Sequence, residues 1–263
     1  MLLYRYVRAS VAGQAQYPGS TLLLTFGQFL GTGLELVAMW ALFDRFGRVA
    51  GWRLGEVALF YGLVNVQFTI ADLATRGFDV LGSELIRTGA FDRVLLRPRS
   101  LTLQLVGHAV RLSRLGRLVQ ALIVLGVSTA RTPLDWSISK LAVALWATAG
   151  GAALFSAIFI LQGTLSIFTV ESLEVMNVLT YGGVQAAQYP LALYGRWLRW
   201  MLTFIVPLAC VTYYPALAIL GKADPLGAPP WTGVVTPVFG FAFLGLALIA
   251  WRSGVRHYTS TGS

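Results

Sequence analysis

The chain alternates between long apolar stretches and short segments rich in arginine, glycine and proline. Six of the apolar stretches approach the roughly 20 residues that an α-helix needs to cross a bilayer. They run from Thr21 to Phe43, Val57 to Thr75, Leu118 to Val127, Ile138 to Val170, Leu198 to Leu220 and Val234 to Trp251. Because lipid offers backbone groups no hydrogen-bond partner, each stretch is predicted to be helical. The pattern predicts an all-α integral membrane protein with six transmembrane helices.

Two of the stretches differ from a simple span. The third reaches full length only if Arg111, Arg114 or Arg117 lies within the helix and extends its charged end to the inner headgroups. The fourth is too long for one upright span, so it must tilt, break at a glycine or extend into the cytoplasm. We expect it to extend past Gly163. Ahead of the first span, residues 1–19 predict an amphipathic helix on the membrane surface.

Composition supports the membrane assignment. Hydrophobic residues make up 56% of the 263 residues and charged residues 12%, and the mean hydropathy is +0.69. A water-soluble globule of this size could not bury so much apolar surface, which excludes a soluble enzyme and a disordered chain. The net charge of +9 suits an anionic membrane surface better than nucleic acid, because the cations lie between apolar stretches.

The distribution of cations predicts the orientation. Most of the Lys and Arg residues fall in the cytoplasmic segments if the N-terminus lies in the cytoplasm, which is where such residues accumulate. Both termini, the loop 76–104, the second loop 171–197 and the tail 252–263 are then cytoplasmic. Neither loop is long enough to form a core of its own. We therefore expect one transmembrane domain over residues 1–263.

Catalytic motifs are missing from the sequence. The Gly221–Lys222 pair is followed by Ala223 and lacks the upstream glycine of a Walker A phosphate loop. Neither HExxH nor GxSxG occurs. Cys210 is the one cysteine, which excludes a cysteine-rich metal site, and no metal site is predicted. The chain is therefore predicted to be a conduit or a scaffold, with a membrane-embedded enzyme as a weak third alternative.

The segment Gly77–Gln104 carries the most informative pattern. Asp92 is predicted to cap a short helix that ends before Pro98. Three apolar side chains then form a small knob with three arginines around it: Phe91, Leu95 and Leu96, with Arg93, Arg97 and Arg99. A knob of this kind suits docking into a groove on a cytoplasmic partner. A loop whose arginines merely contact anionic lipid is an equal alternative on physical grounds.

Three residues of the first span are candidates for a substrate path or a dimer interface. Glu35 lies near the middle of the span, where a carboxylate is costly to bury. It either faces a subunit interface, pairs with an arginine, or stays protonated and bonded to a neighbouring helix, and we favour the last. Gly27 and Gly31 form a GxxxG pattern that allows close helix approach, although this spacing also arises by chance.

The fifth span adds three further candidates. Pro207 removes a backbone donor and is predicted to kink the helix. Tyr213 and Tyr214 follow towards the outer side. A kinked helix with exposed carbonyls and phenols could line an exit path for an amphipathic substrate, whereas aromatic residues anchored at the interface are the simpler interpretation. In the second span, Asp72 and Arg76 are spaced for a local ion pair.

Several of these segments resemble one transporter family. The stretch FDRVLLRPRSLTLQ, the segments QYPLALYG (Gln188 to Gly195) and PLACVTYYPA (Pro207 to Ala216), and the tail from Trp251 to Ser263 are similar to small six-span permeases of the ABC-2 type. The resemblance covers nearly the whole chain. None of these short motifs is catalytic.

This resemblance implies the membrane subunit of an ATP-driven exporter in a bacterial inner membrane. Two permease chains, identical or related, would pair, and two separate ATPase subunits would bind beneath them. The chain would bind no cofactor directly, since ATP and Mg would sit on the partner ATPase. In the family the loop between spans two and three carries a helix that couples to the ATPase, and the matching positions here are Phe91 to Arg99. A non-transporting membrane scaffold or assembly protein is the alternative.

Overall fold

The structure is a computed structural model that describes residues 2–108, 110–132, 134–169 and 173–259. It is 80% helical, and no strand occurs in the described residues. The α-helices there are α1 (Leu2–Ala15), α2 (Pro18–Phe46), α3 (Leu54–Asp79), α4 (Ala90–Leu95), α5 (Leu101–His108), α6 (Leu115–Arg131), α7 (Ile138–Phe168), α8 (Leu173–Ala187), α9 (Arg196–Trp200), α10 (Tyr214–Leu220), α11 (Thr232–Val235) and α12 (Val238–Arg256). The prediction of an all-α membrane protein is confirmed.

Five helical segments of the described chain are long and apolar enough to cross a bilayer. They are Pro18–Phe46, Leu54–Ile86, Leu112–Arg131, Ile138–Phe168 and Thr232–Arg256. A sixth candidate consists of two shorter helical pieces, Arg196–Ile205 and Ala209–Leu220, which meet at an angle of 83°. The described chain thus has five spans, or six if the bent pair is one span.

The span predicted from Leu198 to Leu220 with a kink at Pro207 consists of two helical pieces, because the helix breaks at this proline. This proline has no N–H to donate, and it forces the residue before it away from helical geometry. Val206 accordingly has φ −118° and ψ 94°. Both flanking pieces contain π-helical turns, Met201–Ile205 and Ala209–Tyr213. The predicted kink at Pro207 is therefore a break.

The third helix forms the centre of the molecule. In the most apolar part of α3, 78% of the residues are buried, against 11% in α2. The aromatic ring of Phe68 on α3 packs against Phe155 and Phe159 of α7 at centroid distances of 5.3 and 5.7 Å. A side chain at Gly240 would collide with the Gly150 carbonyl, so α7 and α12 touch backbone to backbone. Helix α2 instead lies at the periphery with its apolar side chains outward.

The segments of the predicted fourth span and of the predicted N-terminal helix are both helical. Helix α7 is continuous from Ile138 to Phe168 and passes Gly163 without a break. Residue 170 lies outside the described residues. Residues Leu2–Ala15 form helix α1, and the Ser10 hydroxyl donates a hydrogen bond to the Val110 carbonyl at 2.8 Å. Its place on the membrane surface stays a prediction.

Candidate functional site

The chain leaves the central helix α3 through a tight connection into α4. A π-helical turn, Leu81–Ile86, continues α3, and Gly89 then adopts φ +66° and ψ 6°. This left-handed conformation strongly favours glycine, because a side chain there would meet the following carbonyl. Helix α4 begins directly after it. Gly89 therefore sets the position of the predicted coupling helix.

Two of the predicted coupling residues face inward. Phe91 is fully buried and packs edge-to-face on Tyr258 of the C-terminal tail, with ring centroids 4.9 Å apart. The Tyr258 hydroxyl donates to Asp92 Oδ1 at 3.0 Å. Burial and the Asp92 carboxylate raise the pKa of Tyr258, which keeps the hydroxyl protonated as the donor. Phe91 is therefore not part of an exposed knob, and Asp92 is not the N-cap, a position that Gly89 occupies.

The remaining coupling residues do form an exposed surface. Leu96 is 84% exposed and Leu95 38% exposed at the end of α4. Four further side chains around them are exposed as well, namely Arg93, Arg97, Pro98 and Arg99. We call these six residues the α4 knob. It presents apolar surface within a ring of guanidinium groups, while Phe91 and Val94 anchor its inner side.

The α4 knob is connected to the spans by close contacts. A side chain at Gly77 of α3 would lie 2.0 Å from the Leu105 carbonyl of α5, so these two helices meet backbone to backbone. Phe78 packs edge-to-face on Trp251 of α12 at 5.0 Å. Gln104 donates its side-chain amide to the Val94 carbonyl at 3.4 Å. These contacts link α4 through α5 to α3, and α3 to α12.

A buried layer of charged and polar side chains joins four helices next to this segment. Asp72 pairs with Arg114, in the turn that precedes α6, at 2.9 Å and with Arg76 at 3.3 Å. Arg76 also pairs with Asp79 at 2.7 Å. The layer is completed by Gln162 of α7, which donates to Asp79 at 2.6 Å, and by Tyr181 of α8, whose hydroxyl accepts from Arg76 at 2.8 Å. The predicted Asp72–Arg76 pair is present, but it belongs to a network that links α3, α7, α8 and the turn that leads into α6.

A third arginine lies deeper in the protein. The Arg117 side chain donates from Nε to Asn65 Oδ1 at 2.8 Å, and its guanidinium lies 4.5 Å from the Phe68 ring centroid. From the sequence, Arg117 was one of three arginines expected to extend to the inner headgroups, and Asn65, Gln162 and Tyr181 were not predicted as site residues. For Asn65 and Gln162, the available signal was a polar side chain inside an apolar stretch.

The Glu35 carboxylate bonds to a neighbouring segment rather than to an arginine. It accepts hydrogen bonds from Gln185 at 2.8 Å and from Gln188 at 3.1 Å, at the end of α8. Gly27 and Gly31 are exposed, and no atom lies within 4 Å of where their side chains would be. This face of α2 is open in the described part of the chain, so a role in a dimer interface stays a prediction.

Of the three candidate residues of the fifth span, Pro207 and Tyr214 line a cavity that Tyr213 does not line. Pro207 and Tyr214 line a cavity of about 380 Å³ together with Phe239 and Phe243 of α12. Tyr213 is only 3% exposed, and its hydroxyl donates to Asp224 at 2.6 Å. Tyr213 is thus a buried structural contact in this conformation. Glu35 and the glycines of α2 do not line this cavity.

The described residues contain no group of three or more His, Cys, Asp or Glu side chains that could hold a metal ion. The candidate site consists of contacts between helices. Its two parts are the exposed α4 knob and the buried layer of ion pairs beside it. A common route, through α3, connects them.

Comparison with known proteins gives one match. A family model described as ABC-2 family transporter protein matches residues 29–262. Neither the curated proteins nor the solved structures contain a match to the chain. The matched range includes the α4 knob, the buried ion-pair layer and the broken helix at Pro207.

Proposed function

The chain belongs to the ABC-2 family of transporter proteins, and from that premise we propose that it is the permease subunit of an ATP-driven exporter whose ATPase is a separate cytoplasmic chain. A permease role and a multi-pass membrane location follow from the family and from the apolar helices. The observation that supports the finer proposal best is the α4 knob, an exposed apolar tip in a ring of arginines at the end of a short helix. ATP and Mg would bind to the partner subunits.

The contacts of α4 explain how an ATPase could act on the spans. Phe91 and Asp92 join α4 to Tyr258, and Gly77 joins α5 to α3 with no space between the backbones. ATP binding can shift the permease only if the ATPase contacts one arrangement of α4 better than another. Such a shift would reach the ion pairs of Asp72 first. We propose that these pairs hold α3, α6 and α8 in one of two arrangements.

We further propose that substrate moves between two permease chains, identical or related. The α2 face with Gly27 and Gly31 is open and apolar, and Glu35 lies on the same helix, where its carboxylate holds the end of α8. A second chain on this face would complete a path of which one wall is present here. The alternative of a non-transporting scaffold predicts a partner at the α4 knob but no effect of that partner on ATP hydrolysis.

The test of docking is purification of the chain from its native membrane with identification of the co-eluting ATPase, comparing wild type with Leu96→Asp and Arg97→Glu. Leu96→Asp places a charge at the centre of the α4 knob, and we expect it to remove most of the bound ATPase. The matched control is Leu226→Asp, the same change at an exposed leucine of the connection between α10 and α11.

The second readout is ATP hydrolysis by the reconstituted complex. A transporter predicts that wild-type permease changes the hydrolysis rate and that Leu96→Asp abolishes the change. Full retention of the ATPase by both α4 variants would overturn the docking proposal. Retention in the wild type with an unaltered hydrolysis rate would favour the scaffold.

A further inference from the structure

A cavity of about 640 Å³ lies between α1, the beginning of α2 and the turn that precedes α6. Its wall is fixed by Gln14 of α1, whose side-chain amide donates to the Val110 carbonyl at 2.7 Å and accepts from the Leu112 backbone N–H at 2.8 Å. Ser10 donates to the same Val110 carbonyl. These bonds give the cavity a defined shape. Nothing in the proposed transport cycle uses it.

The polar lining of the cavity combines both signs of charge. Arg111 and Arg114 line it together with Glu84 and Ser113. Arg114 is paired with Asp72, whereas Arg111 lies 3.8 Å from Glu84, with both side chains about half exposed. An exposed pair at that distance contributes little, so its two members are available to a ligand. The Ser113 side chain makes no hydrogen bond to the described residues.

The rim of the cavity is apolar on the α2 side. Leu24 lines the cavity and is 59% exposed, and Tyr17 at the entrance is 71% exposed. Beyond them, α2 presents a continuous series of exposed apolar side chains, including Leu23 at 72% and Leu34 at 69%. A ligand with a polar head and apolar tails matches this arrangement better than a small soluble ion does.

We propose that this cavity binds the phosphoethanolamine headgroup of a membrane phospholipid. The phosphate would accept from the Arg111 guanidinium and the Ser113 hydroxyl, and the ammonium would donate to the Glu84 carboxylate. The acyl chains would lie along Leu23 and Leu24 at the beginning of α2, ahead of the stretch with Gly27 and Gly31 that the second permease chain would cover. A zwitterionic head fits a cavity with an adjacent cation and anion, whereas a purely anionic head would meet Glu84. A soluble phosphate ester shares the head chemistry but lacks the tails.

The test is thermal unfolding of the full-length chain in detergent with three added lipids of identical acyl chains. Phosphatidylethanolamine is expected to raise the unfolding midpoint most. Phosphatidylcholine has the phosphate but no N–H donor for Glu84, and phosphatidylglycerol has no cation. Soluble phosphoethanolamine at the same concentration distinguishes the two sources of the headgroup, because only the lipid has tails for α2.

Arg111→Gln is expected to weaken phosphatidylethanolamine binding about tenfold, which corresponds to one charge-assisted contact. Arg87→Gln is the matched control, since Arg87 is exposed and does not line the cavity. Glu84→Gln should make phosphatidylethanolamine and phosphatidylglycerol equivalent. Ser113→Ala removes only the hydroxyl group and is also expected to weaken binding. It replaces Arg111→Gln as the test variant if Arg111→Gln does not fold.

Three outcomes would overturn the proposal. The first is an equal shift of the wild-type unfolding midpoint with all three lipids. The second is a full preference for phosphatidylethanolamine that the Arg111 and Ser113 variants retain. An equal shift with soluble phosphoethanolamine would assign the cavity to a soluble phosphate ester instead of a lipid. The lipid-dependent unfolding midpoints are measured without the ATPase, so loss of ATPase docking does not change them. The lipid proposal and the exporter proposal can therefore be refuted separately.

Discussion

Some helical glycines of this protein touch the backbone of another helix, and others face open space. This difference determines whether replacement by alanine lowers the stability of the protein. The Cβ of an alanine at Gly77 would lie 2.0 Å from the Leu105 carbonyl, which is backbone and cannot move aside alone. At Gly126 of α6, no atom lies within 4 Å of the same position. Identical substitutions therefore have opposite expected effects.

Gly77→Ala is expected to separate α5 from α3 and to lower the unfolding midpoint of the purified chain. Overpacking of this kind typically costs about 1–3 kcal/mol. Gly126→Ala should leave the midpoint unchanged or raise it, because alanine favours helix by about 1 kcal/mol over glycine. A Gly77→Ala variant as stable as Gly126→Ala would contradict the close contact between α3 and α5.

Tyr258 offers a pH-dependent prediction at the same scale. Its pKa is raised in the folded protein by burial and by Asp92, so its hydrogen bond is intact below about pH 10, the usual value for tyrosine, and is lost as pH rises through the raised pKa. Wild type should exceed Tyr258→Phe in stability by about 1 kcal/mol at neutral pH. The difference should vanish only above about pH 10. A difference that declines already between pH 7 and 9 would exclude Tyr258 as its source.

Interactions between elements centre on Asp72, which holds two arginines from two helices. Replacing Asp72 with asparagine keeps the shape but leaves the buried charges of Arg76 and Arg114 with less compensation. Removing one member of a buried ion pair typically costs about 3–5 kcal/mol. We expect Asp72→Asn to lower the unfolding midpoint strongly and Asp44→Asn, at an exposed position of α2, to leave it unchanged.

The double variant Asp72→Asn with Arg114→Gln tests the pair directly. Because it removes one charge of each sign, it should recover part of the stability lost in Asp72→Asn. If the double variant loses as much stability as the two single variants together, the 2.9 Å contact between Asp72 and Arg114 contributes no coupling energy.

At the element scale, the apolar stretches predicted the helices well, because hydropathy alone determines which segments enter lipid. The third stretch shows where this fails. Arg114 and Arg117 do not extend to the headgroups as expected, since Asp72 and Asn65 of α3 receive them inside the protein. The hydropathy of one helix does not reveal which side chains a neighbouring helix will offer.

The α4 knob illustrates the same limit. Its exposed residues from Leu95 to Arg99 could be predicted, because charge and turn signals are local. The burial of Phe91 could not, since it depends on Tyr258, which lies far along the chain. Likewise, the break at Pro207 was expected as a kink, and the local sequence signal did not give its 83° angle.

The whole molecule has a predicted orientation that two single-cysteine variants can test. Cys210 is buried, and Cys210→Ala provides a cysteine-free background. In that background, Leu226→Cys should react with a membrane-impermeant maleimide applied to intact cells, whereas Leu96→Cys should react only after permeabilisation. Labelling of Leu96→Cys from outside would reverse the topology and remove the cytoplasmic ATPase as the partner of the α4 knob.

The hydrogen bonds of Glu35 also bear on how the protein is made. Its two donors, Gln185 and Gln188, follow it by 150 and 153 residues, so α2 leaves the ribosome long before either exists. The close backbone contact between Thr25 of α2 and Gly116 of α6 likewise forms late. The first span must wait in the bilayer, or beside the insertion machinery, with an unsatisfied carboxyl group until translation reaches α8. The packing of the first span is therefore completed only after α8 has been made, when a late helix supplies the hydrogen-bond donors of an early one.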